Sequence, residues 1–121
     1  MTLPPPLMGL LAAVKRGEAV EFEVVMDLIG RFYHYEPQGF WNGIEDQCVH
    51  NPPGTNEGSL KIFSFAHLHQ LSESETLELF GKFYREHVCR HPEGVDHQNI
   101  RTFMRFGWAG IRFEGPALSP R

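Results

Sequence analysis

The segment SLKIFSFAHLHQL, residues 59–71, decides how the rest of the chain is interpreted. Ile62, Phe63 and Ala66 share one face of a helix, because residues three and four positions apart lie above one another. Phe65 and Leu71 lie beside that face and widen the apolar arc. An arc of this breadth predicts a helix that is largely buried.

Helical spacing also appears on the N-terminal side of this segment. Apolar residues at spacings of three and four predict an amphipathic helix over residues 22–32. Leu7, Leu10 and Val14 share a face as well, and they predict a short helix that ends near Gly17.

Two further helices are predicted on the C-terminal side. The stretch Ser72-Glu73-Ser74-Glu75 is typical of a capping box, in which the Ser72 hydroxyl accepts a hydrogen bond from the backbone N–H of residue 75. The helix that follows is expected to be broken by Pro92 and Gly94. Its apolar residues at helical spacing are Leu77, Phe80, Phe83, Tyr84 and Val88. Asp96 is the predicted N-cap of the last helix, which carries Ile100 and Phe103 on its inward face.

Two regions favour strands. Tyr33 and Tyr35 alternate, and Phe40-Trp41 resumes after a turn, which predicts two short strands or an extended hairpin. Residues 111–114 alternate too, and we expect them to pair with the 33–42 region. Residues 50–58 are rich in Asn, Pro and Gly and are predicted to be a loop. The prediction is therefore an α+β domain, mostly helical, with four to five helices and a small antiparallel sheet of two to three strands.

Composition limits the class of protein. A chain of 121 residues is expected to form a single domain over residues 1–121, with residues 1–6 and 115–121 loose at its ends. Its 15 acidic and 11 basic residues give a net charge of −4, which argues against a strongly basic nucleic-acid binder. The apolar stretch at residues 7–14 is far below the roughly 20 residues of a membrane span. Cys48 and Cys89 are too few for a disulfide scaffold and favour a reducing, cytoplasmic compartment.

Two polar stretches are candidates for chemistry. The loop from Gly54 to Lys61 opens a helix, so its free backbone N–H groups either face an anion or belong to an ordinary capped helix start. Asp96 and His97 precede another helix, with Arg101 one turn further on. They form either a proton-transfer cluster or the solvated first turn of that helix.

Histidine and arginine patterns give weaker predictions. His87 and His91 are four residues apart, a spacing that suits a metal, but the sequence offers no second half of such a site. We therefore predict no metal and no cofactor. Residues 81–113 carry six basic and three acidic side chains, a surplus of three positive charges. They either form a surface for an acidic partner or pair with the acidic first half of the chain.

Several of these stretches, taken together and in this order, resemble the HopJ type III effector family between about Phe22 and Leu118. The stretches that carry the resemblance are Tyr33-His34-Tyr35-Glu36-Pro37, Phe40-Trp41-Asn42-Gly43, Asn56-Glu57-Gly58-Ser59, Tyr84-Arg85, Asp96-His97-Gln98-Asn99-Ile100-Arg101 and Gly107-Trp108. The resemblance implies a small bacterial protein with no assigned enzymatic reaction, delivered into a host cell through a type III secretion system. The sequence departs from the family at Leu60, where a Cys is usual, and at His87 and Cys89.

The polar residues at predicted helix starts and strand ends are expected to converge on one pocket, where ligands usually bind. Its predicted ligand-binding residues are Tyr33, Tyr35, Asn42, Asn56, Arg85 and Arg101, with Glu57, Asp96 and His97 as candidate catalytic residues. The favoured function is binding of a protein partner or a small ligand. The alternative is a small cytoplasmic enzyme that uses His97 with Glu57 or Asp96 for acid–base chemistry and Arg101 to hold an anion.

Overall fold

Helix α3 (Glu57–Leu68) lies at the centre of the fold in the computed structural model, which describes residues 3–121. Leu60, Ile62, Phe63, Phe65 and Ala66 are completely buried along it. Apolar side chains thus meet neighbours around most of the circumference of α3. The prediction of a largely buried helix in this segment is confirmed.

The other helices pack around α3, and the α+β class is confirmed. Their bounds are α1 (Pro5–Lys15), α2 (Phe22–Phe32), α4 (Glu73–Glu78), α5 (Gln98–Phe106) and a π-helix (Phe83–Val88), with 3₁₀ turns at Glu45–Gln47 and Gly107–Gly110. None of the helices in residues 3–121 is long and apolar enough to cross a membrane.

The capping box at the start of α4 is present as predicted. The Ser72 hydroxyl accepts from the Glu75 N–H, and the Glu75 carboxylate accepts from the Ser72 N–H. The prediction that one continuous helix carries both Leu77 and Val88 is wrong, because α4 ends at Glu78 and the π-helix starts at Phe83. Gly81 turns the chain between them with a φ of 61°, and a Cβ there would lie 2.8 Å from the Phe22 backbone nitrogen.

Five short strands form two antiparallel sheets. Strand β1 (Tyr33–Tyr35) pairs with β5 (Leu118–Pro120), while β2 (Phe40–Asn42) lies between β3 (Val49–Asn51) and β4 (Arg112–Phe113). The expected pairing of residues 111–114 with the 33–42 region is present as β2 against β4. The hairpin alternative is wrong, because β1 and β2 belong to different sheets. The loop expected at residues 50–58 is also wrong at its start, where β3 pairs with β2.

The chain ends are more ordered than expected. Residues 115–121 include β5, and Ala117 and Leu118 are buried in the core. The Arg121 N–H donates to the Phe32 carbonyl, which fastens the end of the chain to α2. At the other end α1 already begins at Pro5, since proline fits the first turn of a helix. The expected looseness is therefore wrong for residues 5–6 and 115–121, and its first two positions lie outside the described residues.

Phe63 ties the layers together at the middle of α3. Its ring meets those of Phe40 on β2 and Phe103 on α5, with centroids 6.0 and 4.9 Å away. It also meets Phe80 and Trp108, at 5.6 and 6.4 Å. Aromatic pairs at such separations contribute about 0.5–1.5 kcal/mol each beyond the area they bury. This cluster holds the starts of α3 and α5 on the same side of the molecule.

Candidate functional site

The starts of α3 and α5 are built in the same way. Each helix is preceded by a residue in the left-handed conformation, Asn56 with φ 50° and His97 with φ 50°. Such a φ is uncommon for residues other than glycine, with Asn and His among those that adopt it more often. Neither helix has a side-chain cap among residues 3–121. The predicted N-cap role of Asp96 is therefore wrong, since the helix begins one residue later.

The first turns of these two helices keep backbone donors free of intrahelical partners. The first backbone hydrogen bonds run from Leu60 to the Asn56 carbonyl and from Arg101 to the His97 carbonyl. The N–H groups of residues 57–59 and 98–100 precede these bonds and have no acceptor within their helix. Both helix N-termini therefore present donors and a partial positive charge.

Both helix starts open into one cavity of about 390 Å³. Its lining combines polar side chains with an aromatic wall: Asn51, Asn56, Ser59, His97, Gln98, Asn99 and Thr102, and Phe22, Phe80 and Phe83. Gly58, Val49 and Ile100 complete it. Within residues 3–121, no carboxylate side chain contributes to this lining.

Four asparagines hold the two helix starts in place. Asn51 Oδ1 accepts from Asn56 Nδ2 at 2.7 Å and from Asn99 Nδ2 at 3.0 Å. Asn42 Nδ2 donates to the side-chain and backbone oxygens of Asn99, both at 2.9 Å. Asn42 and Asn51 are buried on β2 and β3, so the amides tie the sheet to both helices. Sequence reasoning missed Asn51, because nothing local distinguishes it from other residues of an Asn- and Pro-rich segment.

His97 stands at the wall of the cavity beside a second histidine. Its Nε2 lies 3.1 Å from His87 Nδ1, and its ring is tilted against Phe83 with centroids 5.4 Å apart. One imidazole must donate and the other accept in this contact, so at least one of the two rings is neutral. Asp96 Oδ2 is 3.8 Å from the same Nε2, which is beyond hydrogen-bond distance.

Arg101 closes the loop in front of α5 and is not free to hold an anion. Its guanidinium donates to the backbone carbonyls of His91 at 2.8 Å and Asp96 at 2.6 Å, and to the Asp96 carboxylate at 2.7 Å. The hydrogen bond from Arg101 holds the pKa of Asp96 below its ordinary value. Only 10% of the Arg101 side chain is exposed, and its guanidinium is engaged by these contacts within the protein instead of lining the cavity between α3 and α5.

Glu57 and Tyr35 form a separate cluster that does not line the cavity. The Tyr35 hydroxyl donates to Glu57 Oε2 at 2.6 Å, and Lys61 Nζ lies 4.5 Å from the centre of the Tyr35 ring. Burial, and after it the hydrogen bond to Glu57, raise the pKa of Tyr35 above its ordinary value. The Glu57 carboxylate is thus engaged by β1 and not by the cavity.

Two other predicted residues lie elsewhere in the structure. Tyr33 is buried and its hydroxyl hydrogen-bonds to His69 at the end of α3. Arg85 donates to the Val20 carbonyl at 3.1 Å and to Glu78 Oε1 at 3.3 Å. The nine predicted residues therefore do not share one pocket. Asn56 and His97 line the cavity, Asn42 reaches it through Asn99, and the rest serve other contacts.

The described part of the chain, residues 3–121, contains several His, Cys, Asp and Glu side chains, which are the residue types that ligate metals. No group of three or more His, Cys, Asp or Glu side chains there is arranged to hold a metal ion.

Comparisons with known proteins place this architecture in a family. The structure is similar to the crystal structure of VPA0580, a protein of unknown function, with a TM-score of 0.90 and 43% sequence identity. That similarity covers 100% of this chain and 97% of the other. Comparison with curated proteins gives no significant match. The family model described as HopJ type III effector protein matches residues 8–118, and the chain therefore belongs to the HopJ type III effector family.

Proposed function

We propose that this HopJ-family domain binds a small molecule in the cavity between the starts of α3 and α5, through an anionic group. The observation that carries the proposal is that two helix N-termini open into one cavity whose lining has no carboxylate within residues 3–121. Each N-terminus is equivalent to about half a positive charge. An anion between them meets two such charges and several free N–H donors.

The side chains that line the cavity indicate the chemistry of the part of the ligand that is not the anionic group. Phe22, Phe80 and Phe83 form an apolar wall beside the amide side chains. A ligand with an anionic end and an apolar or ring-shaped body satisfies both surfaces. The volume of about 390 Å³ is at the lower end of the range of small-molecule sites, which is roughly 300–1,000 Å³. The expected ligand is therefore a small metabolite and not a peptide.

The enzymatic alternative has less support from the contacts. It requires His97 to act with Glu57 or Asp96, while Arg101 holds an anion. Glu57 is bonded to Tyr35, Asp96 to Arg101, and Arg101 to backbone carbonyls. Only His97 of this set lines the cavity. Binding without covalent chemistry is the simpler account of this lining.

The family also bears on where the protein acts. Its description as a type III effector family supports the proposal that the chain is secreted into a host cell. A secretion assay in the source bacterium, with and without a working type III ATPase, tests that proposal. Export that persists without the ATPase, or no export at all, would contradict it. The binding proposal does not depend on this outcome.

Ser59 provides a charge-specific test of the binding site, because it lines the cavity in the first turn of α3. Ser59→Glu puts a carboxylate beside the expected anion, and Ser59→Gln is a control of matched size without the charge. Both fit a helix start, where Glu and Gln are favoured three residues after the N-cap. Isothermal titration of the full chain uses benzoate and phenyl phosphate as probes, with benzyl alcohol as the neutral comparison.

The expected result is saturable binding of at least one anionic probe, and weaker binding of benzyl alcohol. Ser59→Glu should lower the affinity for the anion by roughly ten-fold, corresponding to about 1.4 kcal/mol, while Ser59→Gln should change this affinity little. Equal affinity of the two variants, or no binding of either anion, would overturn the proposal. Comparison of the two probes distinguishes a carboxylate site from a phosphate site.

A further inference from the structure

A second cavity, of about 260 Å³, lies on the other half of α3. Ser64, His67 and Leu68 contribute one side of it, and the C-terminal segment contributes the other through Phe113, Ala117 and Leu118. It has no lining residue in common with the first cavity. Any ligand here would therefore occupy a site independent of the one between α3 and α5.

Ser64 is the unusual member of this lining. The residue is only 7% exposed, and its hydroxyl oxygen is buried without a hydrogen-bond partner. A serine inside a helix commonly bonds back to the carbonyl four residues earlier, but this hydroxyl does not. Buried polar groups in folded proteins are nearly always hydrogen-bonded. An unpaired hydroxyl beside a cavity therefore indicates that its hydrogen-bond partner comes from a molecule in the cavity.

The remaining surface is apolar and partly aromatic. The rings of His67 and Phe113 lie 5.6 Å apart between centroids, and His67 is also 5.9 Å from Trp108. Leu68 is 47% exposed, so the cavity has an apolar margin that solvent reaches. A single water has a volume of about 30 Å³ and would leave most of this space unfilled. An apolar molecule fits the surface better.

We propose that this cavity binds a small, mainly apolar molecule that carries one hydrogen-bonding group, and that the group pairs with the Ser64 hydroxyl. The size sets the class of ligand, since an apolar cavity of about 150 Å³ is enough for benzene. Phenol is the matching probe, with a ring for the apolar lining and a hydroxyl for Ser64. Toluene is its control, because it has nearly the same shape and no hydroxyl.

The experiment compares phenol and toluene with the wild-type chain and with Ser64→Ala. Affinities come from ¹H–¹⁵N NMR titrations followed at the amides of residues 64–68 and 113–118. A neutral hydrogen bond predicts that wild-type protein prefers phenol by roughly five-fold. In Ser64→Ala the preference disappears, because the binding of phenol weakens while the binding of toluene is unchanged.

Three results would overturn the proposal. The first is that neither probe shifts these amides in a saturable way. The second is that the wild-type chain binds phenol and toluene equally, which would mean that Ser64 finds no partner in the ligand. The third is a phenol preference that survives in Ser64→Ala. Ser59→Glu, which alters the first cavity, should leave phenol binding unchanged, so failure at one site can be told from failure at the other.

Discussion

The hydroxyl of Tyr33 on β1 hydrogen-bonds to Nε2 of His69, the residue directly after α3. The rings are nearly perpendicular, and both also contact Phe65. Because β1 also pairs with β5, this bond connects the C-terminal strand to the central helix. It is a structural contact, although Tyr33 was predicted to bind a ligand.

The burial of His69 makes stability depend on pH. Burial, and then the nearby Lys15 ammonium, lower the pKa of His69 below its ordinary value of about 6.5. The unfolded chain therefore binds this proton more readily than the folded chain does. The stabilisation is complete above about pH 6.5 and is lost as the pH falls through the folded value.

Urea denaturation between pH 7.5 and pH 5 measures this loss, with His69→Gln as the control that cannot titrate. The wild-type chain should lose more stability over that range than His69→Gln does. Equal losses would show that the other histidines account for the whole effect.

Arg101 is expected to stabilise the loop before α5. Arg101→Ala removes hydrogen bonds to the His91 and Asp96 carbonyls and should cost about 2 kcal/mol of unfolding free energy. Arg90→Ala is the matched control, since Arg90 is exposed and its contact to Glu86 is 3.9 Å long. That control should cost less than about 0.5 kcal/mol. Urea denaturation measures both, and similar losses would contradict a structural role for Arg101.

Two serines should respond to alanine in opposite directions. Ser64→Ala removes a buried hydroxyl without a partner and should raise stability by about 1 kcal/mol. Ser72→Ala removes the capping box of α4 and should lower stability by about 1 kcal/mol. Thermal unfolding compares them directly. A loss in Ser64→Ala would indicate that its hydroxyl has a partner in the folded protein.

Two glycines offer a similar contrast. A Cβ on Gly110 would lie 2.8 Å from the Gly43 backbone nitrogen, whose N–H bonds to the Gly110 carbonyl. Gly110→Ala should therefore cost about 1–3 kcal/mol through overpacking against backbone. Gly9 has open space around it within α1, so Gly9→Ala should raise stability by about 0.5–1 kcal/mol. Denaturation midpoints of both variants test the contrast, which would fail if both shifts had the same sign.

The local sequence predicts the helices well and the pairing of the strands poorly. The apolar arc of α3 and the capping box at Ser72 each depend on a few consecutive residues, so both patterns can be recognised in the sequence. Strands β3 and β5 have three residues each, too few to establish an alternation. Their pairing depends on partners distant in sequence, such as Tyr35 opposite Leu118.

The candidate site was predicted in part for a related reason. Asn56 and His97 were expected at helix starts, and the packing around Phe63 brings those two starts together. Arg85 and Tyr35 also lie near the ends of helices or strands, but their side chains do not line the cavity. The Arg85 guanidinium donates to the Val20 carbonyl, and the Tyr35 hydroxyl donates to the Glu57 carboxylate. The direction of a side chain depends on tertiary packing, which the spacing of residue types does not specify.

The central claim is that the free N–H groups of α3 and α5 receive an anion. A ¹H–¹⁵N NMR titration of the full wild-type chain with benzoate and phenyl phosphate observes those groups directly. The account predicts saturable shifts at residues 57–59 and 98–100 together, with one common affinity and with smaller shifts for benzyl alcohol. Shifts confined to other parts of the surface, or unequal affinities at the two helix starts, would contradict it.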